Sequence, residues 1–185
     1  MKRILLIICL VIFVKAVMAQ SVIGKWYHIE KQTSTEEQIY YYTFEANGQA
    51  ELKLLVRSQV PNNRVGYIVT TVTIPGLYIV ESGKALTVTF DKSKCSVNME
   101  FEPSEEFATI LKNKTDGAEE LNAIMKKSTA DQLASGAGER IKSMTTAQLP
   151  MSYLFQISYS KGGSLVLQEP VRPDFERRKE LSRVE

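Results

Sequence analysis

The sequence predicts a mainly β protein: an antiparallel up-and-down barrel of about eight or nine strands, with a helical segment inserted before the last two. Three observations carry this. Between Gly24 and Phe101, short runs of alternating apolar and polar residues follow one another closely, as in antiparallel strands with one buried and one wet face. Tight-turn pairs separate these runs, Asn47-Gly48 being the strongest because both residues accept positive φ. At Pro103 the apolar period changes to i, i+3, i+4, and at about residue 152 the β period returns.

The first nineteen residues are read apart from the fold. Lys2 and Arg3 precede an unbroken apolar run from Ile4 to Val14, and Val17 and Ala19 are small residues placed for cleavage before Gln20. This is the three-part layout of a secretory signal peptide. The run falls short of the roughly 20 apolar residues of a membrane span, and a short anchor helix that stays attached is the alternative. Cys9 lies mid-run after Ile8, which does not fit a lipoprotein signal. The chain is therefore expected to be secreted or periplasmic, without a transmembrane span after cleavage. The peptide takes three of the 23 basic residues and none of the 21 acidic ones, so the mature chain carries −1 instead of +2. That balance gives no field for nucleic acid or an anionic membrane. Only Cys95 remains, so no intramolecular disulfide can form. Its alternation with Val97, Met99 and Phe101 reads as a buried, inert thiol; a reactive one would need Lys92 or Lys94 turned towards it.

Residues 24–31 (GKWYHIEK) form the first strand, and 37–46 (EQIYYYTFEA), rich in β-formers, the second. After Asn47-Gly48, residues 49–57 run back with Ala50, Leu52, Leu54 and Val56 on one face. Residues 58–64, marked by Pro61-Asn62-Asn63, are a loop. Residues 65–73 are a further strand; Pro75-Gly76 breaks the chain, and 77–81 resumes it. Ser82-Gly83 turns into 84–91, and Lys92-Ser93 connects to 94–102. Curling such a meander into a barrel buries one face and removes the exposed edges that invite aggregation.

In the helical segment, residues 103–150, Phe107, Ile110 and Leu111 form one stripe and Leu121, Ile124 and Met125 another. Ser104 is placed to cap the first helix, with Glu105 and Glu106 in its opening turn, and Asp116 to cap the second. Ser128-Thr129-Ala130-Asp131 resembles a capping box for a third helix containing Leu133, which Gly136 and Gly138 weaken or break and Ile141 and Met144 continue. Residues 152–160 and 164–169 flank Lys161-Gly162-Gly163 as a final hairpin. The organisation read is a signal peptide at 1–19, a barrel domain at 20–170 and a charged tail at 171–185 that is mobile or a short solvated helix.

Gly24-Lys25-Trp26 at the head of the first strand resembles the Gly-X-Trp signature of lipocalins and of lipocalin-like domains of secreted bacterial proteins. Tyr42-Thr43-Phe44 leading into Asn47-Gly48 is similar to their Tyr-X-Phe strand and hairpin. Gly76-Leu77-Tyr78-Ile79-Val80 followed by Leu86-Thr87-Val88-Thr89-Phe90 is similar to their next two strands. The Thr-Asp-Tyr element and the disulfide of lipocalins have no counterpart, and here the helices precede the final strands. The resemblance implies a calycin-like barrel with Trp26 plugging the closed end beneath a basic residue from the last strand, for which Arg172 is the candidate. Trp26 as an ordinary core residue is the plainer reading.

Tyr40, Tyr42 and Phe44 share one face of their strand and, with Tyr67, Phe90 and Phe101, are the candidate lining of a ligand cavity; ordinary strand aromatics are the alternative. His28, the only histidine, shares the Trp26 face without a ligand cluster or nucleophile elbow, so no metal, cofactor or catalytic residue is assigned. Asn113-Lys114-Thr115 is a glycosylation sequon only where a host modifies such sites. The expected function is binding of a small apolar or amphipathic molecule in the barrel, not catalysis. The alternative is a side-chain-filled barrel that contacts an envelope protein partner through its helices. The helices themselves read as a lid, a wall or a partner-binding element.

Overall fold

A computed structural model describes residues 22–60, 65–160, 163–169 and 178–184; the signal-peptide reading, Arg172 and most of the 58–64 loop lie outside them. The strands are β1 (Gly24–Gln32), β2 (Glu36–Phe44), β3 (Gln49–Gln59), β4 (Gly66–Glu81), β5 (Ala85–Phe90), β6 (Ser96–Pro103), β7 (Ser152–Tyr159), β8 (Leu165–Gln168) and β9 (Arg178–Arg183). Eight of them close an antiparallel barrel in the order β3-β2-β1-β9-β8-β7-β5-β4, with β4 returning to β3. The ninth, β6, lies against β4 alone. The closed antiparallel barrel is consistent with a calycin-like fold.

The strand period sets the inside. Tyr42 pairs with Leu52, which pairs with Ile74; two residues on, Phe44 pairs with Ala50, Ala50 with Gly76 and Gly76 with Phe90. All of these positions face inward, and all but the half-buried Gly76 lie in one core with Leu86, Val88, Phe155, Leu165, Leu167 and Leu181. Phe44 and Phe90 take the space that Ala50 and Gly76 leave, a large–small alternation suited to a narrow barrel. The Asn47-Gly48 turn forms as expected: Gly48 has φ 83°, and Asn47 Oδ1 accepts from the Gln49 amide at 2.9 Å.

Pro75-Gly76 does not break the chain; β4 runs straight through it. The Pro75 carbonyl accepts from the Asp91 amide at 2.8 Å, so this residue's polar edge faces the β5 side. There the neighbouring chain leaves the ladder in a 3₁₀ turn at Lys92–Lys94 before resuming as β6. The N–H that proline lacks therefore falls where no ladder bond is due. Gly76 is needed for close approach: a Cβ there would stand 2.5 Å from the Thr89 carbonyl oxygen.

The helical segment comprises α1 (Glu105–Lys112), α2 (Ala118–Gln132) and α3 (Gly138–Gln148), the last two joined by a π-turn at Leu133–Ala137. Ser104 caps α1, its Oγ accepting from the Phe107 amide at 3.2 Å. Two expected caps do not form. Gly117, with φ 77°, starts α2 in place of Asp116. Ser128–Asp131 lies inside α2, where Thr129 is buried and donates to the Met125 carbonyl instead of capping. The break comes at Gly136, φ 92°. Phe101, Phe107 and Ala118 form a second core with Leu111, Leu121 and Met125, so α1 and α2 cover the β6 extension. No helix among the described residues is long and apolar enough to cross a membrane.

Three strands follow the helices. Residues 178–183, within the stretch read as a charged tail, form β9, paired with both β8 and β1. Leu181 is fully buried, and backbone pairing, not hydrophobic patterning, holds the rest.

Candidate functional site

The barrel has one closed end. Trp26 is 2% exposed there, and its Nε1 donates to the Val22 carbonyl at 2.9 Å. Arg183 pairs in register with Trp26 and carries its guanidinium 5.7 Å from the ring. The basic residue over Trp26 is thus Arg183, from the last strand; the candidate Arg172 lies outside the described residues.

Above this floor the interior is not filled. A cavity of about 350 Å³ is lined by Tyr40, Tyr42, Leu52, Phe90, Tyr153 and Phe155 on its walls, with Glu30, Glu169 and Lys179 at its mouth. Gln148 and Leu149, at the end of α3, line it too, and both also line an adjoining space of about 130 Å³ against Leu54, Val72 and Ile74. The helical segment therefore ends on the cavity. Lys92 Nζ pins it by donating to the Thr146 carbonyl at 2.7 Å, and Ile141 and Leu149 pack on the barrel core.

One wall is aromatic. Tyr153 and Phe155 stack with centroids 5.4 Å apart, and Phe90 meets Tyr153 edge-on at 5.9 Å. The mouth is charged. Glu30 is the extra residue of a bulge, without a partner between the pairs Ile29–Ile39 and Lys31–Gln38. Its carboxylate lies 3.5 Å from His28 Nε2 and 4.0 Å from Lys179 Nζ. Lys179 Nζ also sits 4.3 Å over the Tyr40 ring. The Tyr40 hydroxyl accepts from Gln38 Nε2 at 3.2 Å. Burial pushes the Tyr42 phenol well above its ordinary value, and Tyr153, Tyr40, Glu30 and Glu169 add to the shift. Tyr40 is raised by burial and then by Glu30, against the Gln38 bond.

Of the candidate lining residues, Tyr40, Tyr42 and Phe90 meet in the cavity. Phe44 lies in the core towards the closed end, its ring 5.2 Å from that of Tyr78. Tyr67 and Phe101 lie away from it. The Arg57 guanidinium stacks 3.8 Å over Tyr67 while bonding Glu102 at 2.7 Å, and Phe101 is buried against Phe107 and Ala118. Both belong to the part of β4 and β6 that extends past the barrel ring, which periodicity alone cannot distinguish from the ring. Tyr153 and Phe155 were not among the candidates, although the alternation in 152–160 puts both on one face of that strand. Glu30 and Lys179 carried no sequence signal, because a bulge and a late strand brought them to the mouth. Cys95 is buried, and burial pushes its thiol up against the opposing pull of Lys142. His28 Nδ1 faces the Glu180 carbonyl at 3.3 Å, and no group of three metal-ligating side chains occurs among the described residues.

Outside the barrel, Ile79, Thr87 and Leu154 stand side by side across three strands, with Leu77 in the next row. Ile79 and Leu77 are each 63% exposed and Leu154 is 47% exposed. Compared with family models, curated proteins and solved structures, the chain matches none.

Proposed function

We propose that this is an exported, lipocalin-like binding protein that holds one small amphipathic molecule in its barrel. The observation that carries the reading is the cavity of about 350 Å³, lined by aromatic side chains with charged ones among them, an amphipathic interior. Its size lies at the lower end of the range usual for small-molecule sites, and its lining mixes aromatic and aliphatic walls with polar groups that can orient a guest, among them Glu30, Tyr40, Tyr42, Gln148, Glu169 and Lys179. The Trp26–Arg183 pair at the other end supports the kinship suggested by Gly24-Lys25-Trp26. The lower wall has side chains to match an apolar body: Leu52, Phe90, Leu149 and Phe155. We take α3 as the roof of the site. The reading is of binding and not turnover, with Glu30 engaged by His28 and Lys179. Export rests on the layout of residues 1–19.

Native mass spectrometry of protein purified from its own host tests this. A co-purifying small mass, lost on mild denaturation, is the expected result. A second reading, a module contacting another envelope protein, is favoured by the exposed apolar strip of Leu77, Ile79 and Leu154. A co-purifying protein lost in an Ile79→Glu/Leu154→Glu variant, with no small mass in the parent, would replace the first reading with the second.

A further inference from the structure

We propose that the cavity is loaded through the seam between β1 and β9, which parts at its upper end while the α3 roof stays in place. This rests on the cavity reading above and names how the site is reached.

The seam is the least tied junction of the barrel. β1 and β9 pair at Trp26–Arg183 and Tyr27–Ser182, and below these the Val184 amide donates to the Lys25 carbonyl. Beyond Tyr27 the ladder stops, although β1 runs on to Gln32 and β9 reaches back to Arg178. Every other junction of the ring is laddered over four positions or more. Side chains bridge the gap instead. His28 Nδ1 meets the Glu180 carbonyl at 3.3 Å, His28 Nε2 lies 3.5 Å from the Glu30 carboxylate, and that carboxylate lies 4.0 Å from Lys179 Nζ. These distances exceed those of strong hydrogen bonds, and part-exposed pairs of this kind hold weakly. Glu30 and Lys179 also line the cavity, so the gap that they span leads into it.

The moving element is lightly held. From Tyr27 to Tyr41, the outer part of the β1–β2 hairpin, no residue is buried. Stretches with little buried apolar surface are the ones that open locally. Below them Trp26 and Leu181 are buried and Arg183 covers the Trp26 ring, so parting at the top leaves the floor intact. The roof is the opposite case. Lys92 Nζ donates to the Thr146 carbonyl at 2.7 Å, and Ile141 and Leu149 pack on the barrel core. Lifting α3 would break a short hydrogen bond and expose apolar surface.

Stopped-flow fluorescence with N-phenyl-1-naphthylamine, a neutral apolar probe, tests the route in the full protein. The Trp26–Arg183 register, carried upward, sets Ile29 opposite Glu180, and both are exposed. Joining an Ile29→Cys/Glu180→Cys pair with a short thiol-reactive linker is expected to slow probe entry and release together, about tenfold or more, with Kd little changed. Cys95 is buried and does not compete for the linker. The same variant before linking is the control for folding and should keep the parent's rates. His28→Ala, which loosens the seam without touching the cavity lining, should speed both rates about threefold. Linking a Lys92→Cys/Thr146→Cys pair, which ties α3 down, should leave both rates as they are. Slowing by the α3 link, or no slowing by the seam link, overturns the seam route and leaves the cavity reading standing. No binding of the probe by the parent protein overturns both.

Discussion

Trp26 fills the lower end of the barrel because it stands on an inward-facing position, directly opposite Tyr42 on one side and Arg183 on the other. Its ring is buried and its one polar atom is satisfied by Val22. Trp26→Ala should therefore cost about 3–5 kcal/mol in chemical denaturation, as for other buried aromatics. A loss below about 1 kcal/mol, the range of ordinary surface changes, would mean that the ring is not part of the core. Tyr42 gives a second residue-scale expectation. Its folded pKa is raised above the unfolded value of about 10, so its contribution to stability is whole below that pH and is lost as pH rises through the folded pKa. Stability should thus fall on going from about pH 10 upward, and Tyr42→Phe should flatten that fall. Denaturation midpoints measured across the alkaline range would show it; identical slopes for parent and variant would rule the effect out.

At the scale of elements, β4 shows how a local rule can be outvoted. Proline and glycine together read as an interruption, yet both are accommodated by the neighbour. The 3₁₀ turn at Lys92–Lys94 removes the demand for the Pro75 amide, and the missing Gly76 side chain lets the Thr89 backbone and the Phe90 ring approach. Gly76→Ala should be destabilising by about 1–3 kcal/mol, since the obstructing atom is backbone and must shift with its strand. Gly138→Ala is the control: its Cβ would meet Leu133 Cδ1 at 2.8 Å, the far end of a flexible side chain that can rotate away. Equal thermal shifts in the two variants would argue against close strand approach as the reason for Gly76. The helices likewise do more than roof the cavity. α1 and α2 bury Phe101 and Phe107 in a core of their own, while α3 packs on the barrel through Ile141, as does Leu149 just beyond its end.

At the scale of the whole molecule, β9 closes the ring. It joins β8 to β1, so without it both strands present unpaired edges and Leu165 and Trp26 lose the cover of Leu181 and Arg183. A chain ending at residue 170 is expected to lose cooperative unfolding and to aggregate, by circular dichroism and light scattering. A soluble, cooperatively folded product would show that the remaining strands close without it. The same closure assembles the mouth, because Lys179 arrives on β9 opposite the Glu30 bulge of β1. Loss of the last strand should therefore remove the site together with the barrel.

Local period and turn chemistry are legible along a single stretch of chain. The alternation of Tyr40, Tyr42 and Phe44 put three aromatics on one face, Asn47-Gly48 made a hairpin, Ser104 began a helix, and Gly136 ended one. Each depends on residues within a few positions of one another, so one stretch of chain carries the whole signal. Other features come from pairing between distant segments. Lys179 and Leu181 sit in a stretch dense in charge and become a strand only because β1 and β8 offer it two rows of backbone partners. Phe101 follows the same alternation as the barrel residues but lies beyond the ring, under a helix. Arg183 covers Trp26 because closure puts the end of the chain beside its beginning. The physical reason is common to all three: backbone hydrogen bonding carries no side-chain signature, so pairing between distant segments is not written in the pattern of either one.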